Sequence, residues 1–278
     1  MRTLLALLLS LCACRTVPAK LPEEAVERAE LRPIVDETGF DGTVLLYDLR
    51  RDRLYSVHGE GADVRHLPAS TFKIANALAA LDAGMVADEN AVVPWDGVTR
   101  PEQAAWNRDL TLREAFRHSA VPHFQWLARN LGAERMQAVV DRVGYGNRDL
   151  SGGIDRFWLD GGLRISPREQ LDFLVRLYRR ELPFSVQAQE AVIRLMLAEE
   201  TEGHRIRAKT GWALRVSPQS GWWVGWVERG EDVYFFATVL RAERPDPARF
   251  LPARVEVTRR ILERLGWLPR SDGAEAGR

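Results

Sequence analysis

The sequence predicts an α+β fold: an antiparallel sheet drawn from both chain ends and flanked by helices, with a mostly helical lobe between. Three observations carry this. Short β-rich segments lie near both ends, the middle has helical periodicity with capping boxes, and no repeat, low-complexity tract or linker divides the chain. At 278 residues, 46% of them hydrophobic, the chain can bury the core of one large domain.

The elements follow in order. Arg2 precedes an apolar run, Leu4 to Ala13, too short to span a bilayer. Residues 1–19 read as a secretory signal with a small-residue cleavage site at Val17-Pro18-Ala19. Leu11-Cys12-Ala13-Cys14 offers a second reading, a lipoprotein signal ending at residue 13 with Cys14 as the lipidated residue. Both predict export to the periplasm, free or lipid-anchored. Residues 20–278 then form one catalytic domain, with a sheet lobe at about 40–68 and 203–268 and a helical lobe at about 70–200. Thr43-Val44-Leu45-Leu46-Tyr47 and Leu54-Tyr55-Ser56-Val57 bracket a polar turn and predict a hairpin. The apolar run after Ser70 predicts a helix buried on all sides, with Gly84 as its stop. Thr111 with Glu114, and Ser166 with Glu169 behind Pro167, are capping boxes that start two more helices. Trp222–Val227 and Val233–Leu240 predict a second hairpin around residues 228–232, and an amphipathic helix follows from about Pro252 to Leu265. The polar tail after Arg270 is expected to fray.

Composition narrows the function. Lys plus Arg and Asp plus Glu are 39 each, so no charge excess points to nucleic acid or an anionic membrane. Both cysteines, Cys12 and Cys14, lie in the leader. The mature chain therefore offers no internal disulfide, cysteine metal site or thiol nucleophile. No later apolar segment is long enough for a transmembrane helix. The five histidines, His58, His66, His118, His123 and His204, lack ligand spacing, so no metal is expected. His118 beside Ser119 is a structural or surface residue, because adjacent side chains point apart.

The chemistry centres on Ser70-Thr71-Phe72-Lys73. Residues three apart share a helical face, which places Ser70 beside Lys73. A buried, unpaired ammonium is unfavourable, so burial lowers the lysine's affinity for its proton and leaves a base next to a hydroxyl nucleophile. The helix N-terminus favours a developing oxyanion. Alone, this spacing also fits a serine cap followed by a lysine that reaches solvent. Two further motifs change the balance. Ser119-Ala120-Val121 follows the first capped helix, and Lys209-Thr210-Gly211 precedes the late hairpin. Their order, S-x-x-K, S-x-V, K-T-G, is the set used by penicillin-recognising serine enzymes.

From about Asp41 to Gly266 the sequence resembles the class D, oxacillinase-type serine β-lactamases. The resemblance rests on Ser70-Thr71-Phe72-Lys73, Ser119-Ala120-Val121, Tyr145-Gly146-Asn147, the loop Ile154–Leu159, Lys209-Thr210-Gly211, Trp222–Glu228 and Leu251-Pro252-Ala253-Arg254. It implies a β-lactamase/penicillin-binding transpeptidase-like fold and hydrolysis of small-molecule β-lactams through an acyl-enzyme on Ser70. It further implies that Lys73, carboxylated by carbon dioxide or bicarbonate, is the general base for acylation and deacylation, with no other cofactor bound. Trp158 donates its indole N–H to the carboxylated lysine, Ser119 relays a proton to the leaving nitrogen, and the backbone amides of Ser70 and Trp212 form an oxyanion hole. Lys209, Thr210 and Arg254 hold the substrate carboxylate, Gly211 allows close approach, and Val121 and Leu159 wall the base. The chain departs from the family in Ala75, where proline is frequent, and in Trp212, a larger aromatic than usual. The alternative is a β-lactam sensor that acylates without turnover, though such sensors follow several membrane helices. A monomer and a homodimer are both compatible with the sequence.

Overall fold

The structure is a computed structural model that describes residues 20–270. The expected leader with Cys12 and Cys14, and the tail after Arg270, lie outside the described residues. In chain order the elements are β1 (Val26–Glu27), α1 (Arg32–Asp36), β2 (Asp41–Asp48), β3 (Arg53–Val57) and, after a 3-10 turn at Ala69–Phe72, α2 (Lys73–Asp82). Then come β4 (Val92–Val93), β5 (Leu110–Thr111), α3 (Leu112–Arg117), α4 (Val121–Leu131), α5 (Ala133–Val143), α6 (Pro167–Arg179) and α7 (Val186–Leu195). The chain returns through β6 (Leu197–Glu200), β7 (Arg205–Ala213), β8 (Gln219–Arg229) and β9 (Asp232–Ala242) to α8 (Pro247–Arg264).

Seven strands form one sheet in the order β1-β3-β2-β9-β8-β7-β6. The two predicted hairpins, β2–β3 and β8–β9, meet where β2 pairs antiparallel with β9. Both chain ends thus build the sheet, as the sequence predicts. Alternate residues of the central strands serve opposite faces. Leu45, Tyr47, Trp222, Val224, Trp226, Phe235 and Ala237 join the core toward the helical lobe. Val44, Leu46, Trp223, Val227, Tyr234 and Phe236 join a second core under α1 and α8. Burial on both faces explains why β8 and β9 read as nearly unbroken apolar runs.

The sequence expectation needs correction in four places. The sheet is mixed, because β1 pairs parallel with β3. β6 lies within the stretch assigned to helix, yet it pairs with β7 at the sheet edge. A small β4–β5 ladder interrupts the helical lobe. Finally, α8 begins at Pro247 rather than Pro252. The Asp246 side chain accepts from Ala248 N and caps the helix there.

The helix after Ser70 is buried from Lys73 to Ala80. It stops at Gly84, φ 68°, through paired bonds from Met85 N to Ala80 O and from Gly84 N to Leu81 O, a closing pattern that needs the left-handed region at the glycine. Both capping boxes form reciprocally. Ser166→Ala removes one side-chain acceptor at the start of α6. It should lower unfolding free energy by about 1 kcal/mol in a denaturant titration, and an unchanged midpoint would contradict the cap.

Candidate active site

Ser70 sits in the 3-10 turn that leads into α2, immediately after Ala69, whose φ is 48°. That left-handed backbone is unfavourable for a residue with a Cβ and is held by its surroundings. The turn places Ser70 Oγ 2.8 Å from Lys73 Nζ. Lys73 has no solvent exposure, and its amine lies 5.4 Å above the Phe124 ring. Burial, with a smaller contribution from the charge of Lys209, holds the Lys73 pKa well below the ordinary lysine value. Burial thus acts on Lys73 in the direction that favours the uncharged amine.

A second lysine–serine pair faces the first. Ser119 lies between α3 and α4 with φ 52°, and Lys209 on β7 reaches its Oγ at 3.0 Å. The Lys209 amine also donates to the Thr210 carbonyl at 3.1 Å and lies 5.6 Å above the Phe116 ring. Burial, and then the charge of Arg254, bring its pKa down to about 7. Arg254, on α8, donates to the Gly211 carbonyl at 2.5 Å. Burial lowers its own pKa to about 10, so the guanidinium stays charged at neutral pH.

Ser70, Ser119, Val121, Leu159, Thr210, Gly211, Trp212 and Arg254 all line one cavity of about 240 Å³. Lys73, Lys209 and Trp158 are buried and do not line it. Gly211 is needed where β7 crosses the nucleophile turn: a Cβ there would lie 2.8 Å from the Pro68 oxygen. Trp158 is fully buried, stacked on Phe72 at 5.5 Å and edge-on to Phe157 at 4.8 Å. Its Nε1–H has no hydrogen-bond partner among the described residues, which is unusual for a buried indole. Among the described residues, no group of three or more His, Cys, Asp or Glu side chains could hold a metal ion.

Residues 57–263 match the family described as the penicillin binding protein transpeptidase domain. The OXA-48 β-lactamase of Klebsiella pneumoniae is 43% identical over 82% of this chain and 84% of its own. The chain belongs to the class D β-lactamases. OXA-10 of Pseudomonas aeruginosa is 42% identical over 74% of this chain and 77% of its own. A crystal structure of a class D β-lactamase, YbXI from Nostoc, superposes with a TM-score of 0.81. That pair shares 43% identity, covering 86% of this chain and 99% of the other.

This class D site includes three cavity-wall residues that no sequence motif marks, Gln103, Leu214 and Arg215. Leu251, from the motif that ends in Arg254, joins the wall, and so does Trp106, whose Nε1 is tied to the His118 carbonyl at 3.0 Å. Trp212 Nε1 donates to Gln219 Oε1 at 2.8 Å, which fixes the indole named above as a departure from the family. Asn76, buried in α2, donates to the Phe124 carbonyl at 3.0 Å and ties α2 to α4. Gln103 and Leu214 lie on irregular segments and carry no periodic signal. Asn76 was detectable as a polar residue inside an otherwise apolar helix.

The lowered proton affinity of Lys73 has a stability consequence. The unfolded chain binds this proton more tightly than the folded chain, so the group opposes folding below the ordinary lysine value of 10.5, and the penalty declines as pH rises and vanishes above that value. Lys73→Met should raise unfolding free energy at pH 7 by on the order of 1–2 kcal/mol, with the gain shrinking toward pH 10. Equal stability of variant and parent across that range would contradict a neutral buried amine.

Proposed function

We propose that the protein hydrolyses β-lactams through an acyl-enzyme on Ser70, with Lys73 as the base of both half-reactions. The observation that carries this reading is the 2.8 Å contact between Ser70 Oγ and a fully buried Lys73 amine. Family membership supports it.

In acylation, the Ser70 proton leaves toward Lys73 and Oγ bonds to the lactam carbonyl carbon. The backbone N–H groups of Ser70 and Trp212 stabilise the oxyanion. The carbonyl carbon–nitrogen bond then breaks, and the leaving nitrogen takes a proton from Ser119, which Lys209 replenishes across their 3.0 Å bond. Before deacylation the proton that Lys73 took from Ser70 returns to Lys209, which gave one up, so both amines regain their starting states. Water then loses a proton to Lys73 as it attacks the ester carbon, and Ser70 departs with that proton. Thr210, Lys209 and the planar fork of Arg254 hold the substrate carboxylate. Val121 and Leu159 limit water around the base.

A neutral amine can add to carbon dioxide, and the partnerless Nε1–H of Trp158 is a donor suited to an added carboxylate. The buried amine and the partnerless indole N–H fit carboxylation of Lys73, which would supply an anionic base. Lys73 would carry that group and Trp158 would hold it by a hydrogen bond. The leader read from residues 1–19 supports export to the periplasm as the place of action.

The decisive experiment is turnover of a chromogenic cephalosporin, with mass spectrometry of the reacting protein. Parent protein should turn over, faster with added bicarbonate. Lys73→Ala should fold yet lose at least about a thousandfold in deacylation, the upper range of base catalysis. A stable stoichiometric adduct on Ser70 without turnover by the parent would instead assign a sensor.

Lys209 gives a pH signature. Its proton is lost from the free protein at about pH 7, and with it one cation facing the substrate carboxylate. Arg254 keeps its charge to about pH 10. For an anionic β-lactam, kcat/KM should therefore fall above pH 7, by roughly tenfold for one lost charge-assisted bond. Bound carboxylate stabilises the cation, so the same limb in kcat should lie at higher pH. Lys209→Arg, less active overall, should lack the limb near pH 7. A limb that persists in that variant would assign it to another group.

A further inference from the structure

Gln170 is fully buried on α6, a helix whose other core residues include Leu171, Phe173, Leu174 and Leu177. An amide in that position needs a hydrogen-bonding reason. Its Nε2 donates to Thr71 Oγ1 at 2.7 Å. The Thr71 hydroxyl in turn donates to the Pro68 carbonyl at 2.8 Å, which also accepts the Thr71 N–H at 3.1 Å. The turn Pro68–Thr71 is thus closed twice, and its two central residues are Ala69 and Ser70.

That turn carries backbone strain. Ala69, at φ 48°, keeps a left-handed conformation only where neighbours over-determine it. Several do. Trp222 Nε1 donates to the Leu67 carbonyl at 2.8 Å. The start of α6 is fastened to the approach segment by Arg168 N to Ala62 O at 3.0 Å, by the Arg65–Glu169 ion pair, and by reciprocal 2.9 Å bonds between His66 and Ile165. The Gln170–Thr71 bond continues this seam to the residue beside the nucleophile. The Tyr145 phenol, kept protonated by burial, faces both Thr71 and Gln170, and its ring meets Phe72 edge-on at 5.3 Å.

We infer that Gln170 is a positioning residue for acylation: through Thr71 Oγ1 it holds the Ala69–Ser70 turn so that Ser70 Oγ stays against Lys73 Nζ. The inference rests on Ser70 being the nucleophile proposed above. Gln170 touches no reacting atom. Its effect should therefore fall on attack by Ser70, which depends on the angle of the turn, and not on attack by water on the finished ester.

The test separates acylation from deacylation by stopped-flow kinetics in saturating bicarbonate, on parent, Gln170→Leu, Thr71→Val, Thr71→Ser and the double variant Gln170→Leu/Thr71→Val. Gln170→Leu and Thr71→Val should each acylate roughly 10- to 100-fold more slowly, the scale of an ångström-sized misplacement, with deacylation within about twofold of parent. Thr71→Ser keeps the hydroxyl and should stay within about threefold. The double variant should be no slower than Thr71→Val, because Gln170→Leu removes only a bond that Thr71→Val, which also loses the bond to the Pro68 carbonyl, has already removed. Parent acylation rates in a folded but less stable Gln170→Leu would overturn the inference, as would multiplicative effects in the double variant. If Gln170→Leu does not fold, equal acylation by Thr71→Val and Thr71→Ser overturns it. A parent chain not acylated at Ser70 overturns the proposed function first, and this inference with it.

Discussion

One contact organises this protein: an amine with no solvent exposure, 2.8 Å from a serine hydroxyl. Water would favour the protonated amine, and burial in α2 opposes that charge. Much of the surrounding structure serves this constraint. α2 is buried from Lys73 through Ala80, Phe124 lies under the amine, and Phe72 carries Trp158 beside the same turn. A lysine in such a place opposes stability, and its retention is what a reactive site requires.

The second lysine obeys the same rule at lower intensity. Lys209 is almost fully buried on β7 and bonded to two oxygen acceptors, and burial with the charge of Arg254 brings its pKa to about 7. Arg254 adds a permanent charge close by. The site thus separates its cations into one neutral base, one group poised to titrate and one fixed anchor. This division suits a reaction in which protons move on one side of the cleft and a carboxylate is held on the other.

The sequence disclosed this plan where residue type conflicted with its neighbours. Lys73 is the one cation in an apolar run, Lys209 precedes an apolar hairpin, and the capping boxes at Thr111 and Ser166 carry their own hydrogen-bond logic. All of these lie where expected. Features fixed by tertiary pairing were less legible. β1, with two residues, and β6, Leu-Ala-Glu-Glu, have no alternation and become strands only by lying along the sheet. The start of α8 is marked by Asp246 before Pro247, a cap followed by a first-turn proline, while Pro252 lies inside the helix. Gln170 reads locally as an ordinary polar helix residue, and only the crossing of α6 over the nucleophile turn reveals its partner. The cavity wall at Gln103 and Trp106 lies on an irregular 3-10 segment, where no periodicity marks a face.

The central claim is the charge state of one side chain, and it can be observed directly. Protein equilibrated with carbon-13 bicarbonate should show a single carbamate resonance, absent in Lys73→Ala, whose intensity follows activity as pH is lowered and restored. Full antibiotic turnover by protein that shows no such resonance, with Lys73 protonated throughout, would contradict the account.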